Sequence, residues 1–283
     1  MQNKLCMVTG ANSGIGKATA MKLAEQGAFV VMVCRDEEKA NKARDEIINK
    51  TGNTGVEVML ADFAYQYEIR ELADHFKSKF DELDVLVNNA GMIASHREET
   101  IDGIEKTFAV NHLGPFLLTN LLLEPLKAAE ESRIVNVSSE VHRLGASVFD
   151  LSDLQLTQGF TPIKAYGVSK LCNIMFTREL SKRLEDDGII ANALHPGAVS
   201  TKLAEEASWL MKLFYFIGTP FMRSPDKGAE TPIYLATSDE VKEISGKYFK
   251  NKKPIQPAGK ALDEDLCHKL WEISEQLTAL RNN

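Results

Sequence analysis

An apolar run that leads into a glycine-rich turn is the most informative feature of the chain: Leu5-Cys-Met-Val-Thr-Gly-Ala-Asn-Ser-Gly-Ile-Gly16. Its first five residues predict a buried strand, and residues 15–26 predict a helix. Gly10, Gly14 and Gly16 lie at the turn between them. Glycine lets the backbone approach a ligand closely, and a helix N-terminus presents free N–H groups. The segment therefore predicts a strand–turn–helix unit that binds a pyrophosphate, although a tight turn without a ligand would use the same glycines.

Six further apolar, β-branched runs follow along the chain, and longer helical patterns separate them. The runs are residues 29–34, 56–61, 85–88, 134–138, 189–195 and 247–249. Continuous apolar strands that alternate with helices are typical of parallel sheets covered on both faces. We therefore predict an α/β protein with a single Rossmann-type domain over residues 1–283. Its doubly wound parallel sheet should have about seven strands, with helices on both faces.

Composition excludes several functional classes. The chain has 283 residues, 44% of them hydrophobic, and a net charge of −7. An acidic protein of this kind is not expected to bind nucleic acid. The four cysteines form no C-x-x-C pair, the first strand leaves no room for a signal peptide, and no apolar run reaches membrane-spanning length. We therefore expect a cytoplasmic protein, and the spacing of its six histidines predicts no metal site.

The end of the second strand should determine which nicotinamide cofactor binds. An acidic residue there would bind the adenosine ribose and favour NAD(H). In this sequence Cys34 is followed by Arg35 and Asp36. Because Arg35 can pair with a 2′-phosphate, we predict a preference for NADP(H). The alternative is that Arg35 is only a surface charge and Asp36 selects NAD(H).

Two further strand ends carry polar residues suited to a cofactor. Asp62 follows the third strand and could accept a hydrogen bond from the adenine amino group, or could instead cap the next helix. The fourth strand ends in Asn88-Asn-Ala-Gly91, where small residues allow close approach and asparagine can hold strand ends together.

The segment Tyr166-Gly-Val-Ser-Lys170 lies in a predicted amphipathic helix over residues 163–185. Residues four apart share a helix face, and a nearby ammonium lowers the pKa of a phenol. Tyr166 and Lys170 therefore predict a general acid/base, although the pattern also arises by chance. Ser139, at the end of the fifth strand, could hold a substrate oxygen. We choose it over Ser138, and only one of the two can point into the site because neighbouring strand residues face opposite ways. Asn111 interrupts an apolar helix and could instead mark a bend.

The order of these motifs, from Thr9–Gly16 through Asn111, Ser139 and Tyr166 to Pro196-Gly197, resembles the short-chain dehydrogenase/reductase family from residue 5 to about residue 250. The resemblance implies a catalytic set of Asn111, Ser139, Tyr166 and Lys170. In it Tyr166 transfers the proton, Lys170 also binds the nicotinamide ribose, Ser139 positions the substrate oxygen and Asn111 holds a relay water. The predicted cofactor-binding residues are Gly10, Asn12, Ser13, Gly14, Ile15, Gly16, Arg35, Asp62, Phe63, Asn89, Ala90, Gly91, Tyr166, Lys170, Pro196, Gly197, Val199 and Thr201.

Finer features resemble the retinol-dehydrogenase-like branch, among them Val33-Cys-Arg-Asp36 and His195-Pro-Gly197. The resemblance implies an NADP(H)-dependent oxidoreductase that moves a hydride between the cofactor and a lipophilic aldehyde, ketone or alcohol. Two alternatives remain open at this point. One is a nucleotide-binding regulator that has lost the chemistry, and the other is a sugar-nucleotide epimerase or dehydratase.

The apolar segment 209–217 breaks the strand–helix alternation after the sixth strand. It predicts a substrate lid over residues 202–224, with a subunit contact or shallow insertion at a membrane surface as alternatives. Apolar faces on the two long central helices would suit a homodimer.

Overall fold

A computed structural model describes residues 1–197 and 224–280 and shows one sheet of eight strands. The strands are β1 Leu5–Thr9, β2 Phe29–Cys34, β3 Val56–Leu60, β4 Val85–Asn88, β5 Arg133–Val137, β6 Ile190–His195, β7 Tyr248–Lys250 and β8 Lys253–Ile255. The helices are α1 Gly14–Glu25, α2 Glu37–Thr51, α3 Gln66–Lys79, α4 Lys106–Phe108, α5 Gly114–Leu121, α6 Leu123–Ala128, α7 His142–Val148, α8 Pro162–Arg183, α9 Pro225–Thr237 and α10 Glu264–Leu277. A π-helical turn, Ala109–Leu113, joins α4 to α5.

The strand order is β3-β2-β1-β4-β5-β6-β7-β8, and β1 to β7 are parallel. The chain winds outward in both directions from β1 and β4, so the carboxyl ends of these two strands flank a crevice. Ligands of open α/β sheets bind in such a crevice. The predicted doubly wound α/β fold is therefore confirmed.

The seven predicted strands are all present, with ends that differ by no more than one residue. The eighth strand, β8, was not predicted. It pairs antiparallel with β7, and its three residues, Lys253-Pro-Ile255, are largely exposed. A short exposed edge strand with a proline lacks the apolar pattern that identifies the buried strands.

Apolar side chains fill both faces of the sheet. On one face Leu23 of α1, Ile47 of α2 and Leu235 of α9 belong to a buried cluster with strand residues. On the other face Phe76 of α3 and Phe176 of α8 belong to a second cluster. Because helices cover both faces, only the strand ends and loops of the sheet are accessible to a ligand.

The C-terminal helix α10 packs across α5 and α8. The Trp271 ring lies 4.8 Å from the Phe116 ring and 5.8 Å from the Phe176 ring, and the Arg183 guanidinium lies over it at 4.3 Å. This helix covers part of the apolar surface that the sequence assigned to a homodimer.

None of the described helices is both long enough and apolar enough to cross a bilayer.

Candidate active site

The glycine turn after β1 folds back tightly on the end of β4. Gly10 has a φ of 65°, and a side chain there would come within 3.0 Å of the Ala90 Cα. A side chain at Gly16 would overlap the Gly10 carbonyl oxygen and the Asn89 amide. Only glycine fits these two positions, so the turn keeps a bare backbone facing the crevice.

Thr9, which the sequence did not single out, fastens the ends of β1 and β4 together. Its Oγ1 accepts hydrogen bonds from the N–H groups of Asn89 and Ala90, both at 2.9 Å. The Asn89 side-chain amide in turn donates to the Thr9 carbonyl at 2.8 Å. The asparagine therefore holds strand ends together, as expected.

The N-terminus of α1 opens directly onto this turn. Ser13 is its N-cap in an extended conformation, but the Ser13 side chain makes no capping bond, and the first turn holds no acidic residue. The first N–H groups and the positive end of the helix dipole therefore lack a side-chain acceptor from the cap. This cradle, with no room for a Cβ at Gly16, fits a diphosphate.

Two residues of opposite charge, Arg35 and Asp36, follow β2. Arg35 is exposed. Asp36 caps α2, accepting from the Lys39 N–H at 3.0 Å and pairing with the Lys39 ammonium at 2.8 Å. The hydrogen bonds from Lys39 hold the pKa of Asp36 below its usual value. Asp36 thus has a structural role as the N-cap of α2.

The residues after β3 form a turn. One Asp62 carboxylate oxygen accepts the Ala64 N–H at 2.9 Å, while α3 begins only after its N-cap Tyr65. Asp62 therefore shapes this turn and does not cap α3. Phe63 is buried against Gly114, where any Cβ would lie 2.6 Å from the phenylalanine ring.

Tyr166 and Lys170 lie on one face of α8, beside the end of β5. The Lys170 ammonium nitrogen is 5.6 Å from the centre of the Tyr166 ring and donates to the Val137 carbonyl at 2.9 Å. Lys170 is only 3% exposed, and burial lowers its pKa to about 8. A Cβ added at Gly91 would lie 3.4 Å from this ammonium and 3.2 Å from the Asn111 side-chain oxygen. Tyr166, Lys170, Asn111 and the end of β4 are therefore neighbours.

Asn111 lies in the π-helical turn and holds the loop after β4. Its side-chain oxygen accepts from the Met92 N–H at 2.7 Å, and its amide donates to the Met92 carbonyl at 2.9 Å and the Ser169 hydroxyl at 3.0 Å. The main-chain carbonyl of Asn111 accepts from the Asn173 side-chain amide at 2.8 Å. The helix is therefore distorted at Asn111, and π turns of this kind are frequent at functional sites.

The two serines after β5 face different partners. The Ser138 hydroxyl is buried and donates to the Lys170 carbonyl at 2.7 Å. The Ser139 hydroxyl accepts from the Val141 N–H at 3.3 Å. Ser138 therefore fastens β5 to α8, which leaves Ser139 as the candidate for substrate contact.

Helix α7 crosses α8 at two glycines. A Cβ at Gly145 would overlap the Gly167 carbonyl oxygen, and a Cβ at Gly167 would lie 2.9 Å from the Gly145 nitrogen. Because Gly167 follows Tyr166, this contact sets how closely α7 approaches the tyrosine. The sequence showed the two glycines but not that they meet.

The predicted site residues within the described ranges all lie at the carboxyl ends of strands or on α1, α8 and the π turn facing them. Pro196 and Gly197 follow β6 at the same edge of the sheet. Residues 198–223 lie outside the part of the chain that the structure describes. They include Val199, Thr201, the segment 209–217 and all of the proposed lid over 202–224 except Ser224.

Comparison with known proteins agrees with this architecture. A family model described as short chain dehydrogenase matches residues 4–209. Among curated proteins, mouse Retinol dehydrogenase 12 is 40% identical over 278 residues, which cover 98% of this chain and 87% of that protein. Human Retinol dehydrogenase 14 is 42% identical over 296 residues, covering 99% and 88%.

Solved structures show the same fold. An uncharacterised protein of Mycobacterium paratuberculosis superposes with a TM-score of 0.79 at 34% identity, covering 98% of this chain and 94% of its own. A short chain dehydrogenase of Escherichia coli CFT073, in complex with NADPH, superposes with a TM-score of 0.71 at 24% identity, covering 88% and 96%.

Proposed function

The chain belongs to the short-chain dehydrogenase family, and we propose that it uses NADP(H) to interconvert a lipophilic aldehyde or ketone with its alcohol. Its family and its retinol dehydrogenase relatives make it an oxidoreductase that acts on CH–OH groups. One observation carries the finer proposal. The buried Lys170 ammonium lies beside the Tyr166 ring, at the sheet edge where Ser139 and the α1 N-terminus also lie.

Tyr166 is the proposed general acid/base. The Lys170 ammonium favours the phenolate form of a neighbouring tyrosine, because opposite charges stabilise each other. Since the pKa of Lys170 is about 8, the amine is still mostly protonated at neutral pH and supplies this charge. Tyr166 can then give a proton to a substrate oxygen in reduction and take it back in oxidation.

Ser139 and Asn111 are proposed to complete the site. The Ser139 hydroxyl, whose described contact is a 3.3 Å bond from Val141, can donate to the substrate oxygen beside Tyr166. The Asn111 side chain is engaged by Met92 and Ser169, so we assign the relay water to its main-chain carbonyl. Asn173 leaves that carbonyl one lone pair.

The residues present fit a nicotinamide dinucleotide phosphate. Bound NADP(H) would supply the hydride acceptor or donor. The α1 N-terminus and Gly10, Gly14 and Gly16 would hold its diphosphate, and Arg35 its 2′-phosphate. The engagement of Asp36 as the α2 cap supports NADP(H) over NAD(H), because that carboxylate is turned to Lys39.

The remaining proposed contacts use the other strand ends. Asp62 and Phe63 would lie near the adenine, and Asn89, Ala90 and Gly91 would line the crevice. Pro196 and Gly197, with Val199 and Thr201, would contact the nicotinamide end.

The relatives' name supports the proposed substrate class, because retinol is a long apolar alcohol. A regulator without chemistry is disfavoured, since Tyr166 and Lys170 are both present on one face of α8, and Ser139 follows β5, the strand whose last residue Lys170 contacts. A homodimer through α5 and α8 would have to form around α10, which packs on both helices.

The proposal is tested by following NADPH oxidation with straight-chain aldehydes from short to long, and with retinal. We expect kcat/KM to rise with chain length and NADH to be used less well. Equal kcat/KM across the series would contradict the lipophilic substrate, and no turnover with any carbonyl would contradict the proposed reaction.

A further inference from the structure

We propose that His142 is a positioning residue that holds Ser139 through its Nδ1 and separately binds residues 256–262 through its Nε2. The proposal rests on the substrate-binding role proposed for Ser139. His142 is the first residue of α7 and is fully buried. Its Nδ1 lies 2.7 Å from the Ser139 carbonyl oxygen, and its Nε2 lies 3.0 Å from the Ala258 nitrogen. One side chain thus connects the candidate active site to a segment more than a hundred residues away in sequence.

The two partners fix the protonation of the ring. A carbonyl oxygen can only accept a hydrogen bond, and a backbone N–H can only donate one. The ring must therefore carry its proton on Nδ1 and accept at Nε2, so the neutral form is the one that satisfies both partners. Burial lowers the pKa of His142 in the same sense. The Tyr248 ring packs edge-on against the imidazole at 4.9 Å and limits its rotation.

The contact bears on Ser139 through the backbone. On one side of Ser139, the Ser138 N–H donates to the Leu194 carbonyl at 2.7 Å, which fixes the end of the sheet. On the other side, the Ser139 carbonyl accepts from both the N–H and the ring of His142. The peptide that follows Ser139 is therefore held by His142, while the residue before Ser139 is held in the sheet, and together these bonds restrict the direction of the Ser139 Cα–Cβ bond.

The C-terminal segment is bound to α7 by two further contacts. Arg143 donates to the Gln256 carbonyl at 2.9 Å, and the Lys260 ammonium donates to the Phe149 carbonyl at 2.8 Å. These two bonds involve Arg143 in α7 and Phe149 at its C-terminal end. Of these three contacts, only the His142 imidazole also reaches Ser139, so it is the link from this segment to the site.

Two substitutions test the hydrogen bonds of the two imidazole nitrogens one at a time. In His142→Asn the side-chain amide replaces Nδ1 and can still donate to the Ser139 carbonyl. In His142→Gln the side-chain oxygen replaces Nε2 and can still accept from Ala258. We expect His142→Gln to lower kcat by about 10- to 100-fold, because misplacement of a reacting group is costly. We expect His142→Asn to keep kcat close to that of the wild type.

Hydrogen exchange gives a readout that does not need turnover. The Val141 N–H, bonded to the Ser139 hydroxyl, should exchange faster in His142→Gln and stay protected in His142→Asn. The Ala258 N–H should show the reverse pattern. NADPH affinity should be unchanged in both variants. The exposed His75, replaced by glutamine, is the matched control and should change none of these quantities.

Two results would overturn the proposal. One is wild-type kcat and Val141 exchange in His142→Gln. The other is an equal loss of kcat in both variants, which would indicate general destabilisation. Ser139→Ala, measured in parallel, distinguishes failure of the role proposed for Ser139 from failure of the role proposed for His142. If that variant retains full turnover, the function proposed for Ser139 fails, while the exchange of Val141 and Ala258 still tests His142.

Discussion

The Lys170 ammonium donates a hydrogen bond of 2.9 Å to the main-chain carbonyl of Val137, the last residue of β5. A carbonyl offers only a partial negative charge, so this bond does not compensate fully for the loss of water around a buried ammonium. Burial therefore lowers the pKa of Lys170 from 10.5 to about 8. The lysine that the proposed mechanism needs is placed at a cost to folding.

That cost should depend on pH. Below pH 8 the amine is protonated in both the folded and the unfolded chain, so the cost is fully present. Between pH 8 and 10.5 only the unfolded chain keeps the proton, and the cost falls as pH rises. Relative to Lys170→Met, the wild-type free energy of unfolding should therefore rise by up to about 3 kcal/mol across this range. Urea denaturation of both proteins from pH 7 to 10 measures it, and a constant difference would contradict the lowered pKa.

Arg35 should decide cofactor choice. Arg35→Ala removes a cation proposed to bind the 2′-phosphate, and a hydrogen bond to a charged group contributes about 1.5–3 kcal/mol. We expect KM for NADPH to rise about tenfold or more while KM for NADH stays the same. An unchanged KM for NADPH would remove Arg35 from the cofactor site.

Asp36 should act on stability and not on cofactor choice. Asp36→Ala removes the N-cap of α2 and its bonds to Lys39. The melting temperature should fall, because capping satisfies helix N–H groups. The ratio of kcat/KM for NADPH and NADH should stay that of the wild type. A shift of this ratio towards NADPH would show that Asp36 binds the ribose of NADH.

The contact between α7 and α8 should tolerate no added methyl group. Gly145→Ala forces the helices apart at Gly167, and we expect destabilisation of about 1–3 kcal/mol, the typical cost of overpacking. The control is Gly259→Ala, because a Cβ there meets nothing within 4 Å. Thermal unfolding of the two variants gives the comparison. Equal melting temperatures would mean that the two helices can separate freely.

The two adjacent serines should differ in effect. Ser138→Ala removes a buried bond to the Lys170 carbonyl and should cost about 1 kcal/mol of stability while turnover continues. Ser139→Ala should keep the stability and lower kcat/KM by about 10²-fold, the typical loss for one donor to a reacting oxygen. Paired kinetics and unfolding measurements test this, and the reverse pattern would exchange the two roles.

Much of the fold could be predicted because the inner strands are buried on both faces and therefore read as continuous apolar runs. Val30 to Cys34 of β2, for example, are all buried. β8 could not be predicted in this way, since Lys253 and Pro254 face solvent and the pairing with β7 determines the strand.

The position of those candidate site residues that directly follow strands was predictable, since the carboxyl ends of parallel strands lie at one edge of the sheet. The helix distortion at Asn111 and the strand-end bonds of Asn89 were also anticipated. The contacts of His142 and of Gly145 were not, because their partners, Ala258 and Gly167, are brought near only by tertiary packing. The sequence around His142 and around Gly145 shows no local pattern that would predict these partners.

The proposed reaction depends on proton transfer by the Tyr166 hydroxyl. Tyr166→Phe removes this one oxygen and leaves the cofactor cradle at α1 intact. The deciding measurement is the single-turnover rate of NADPH oxidation with a lipophilic aldehyde, alongside NADPH affinity. We predict unchanged affinity and a rate lower by about 10²- to 10⁴-fold, the usual contribution of a general acid. A rate close to that of the wild type would contradict the account.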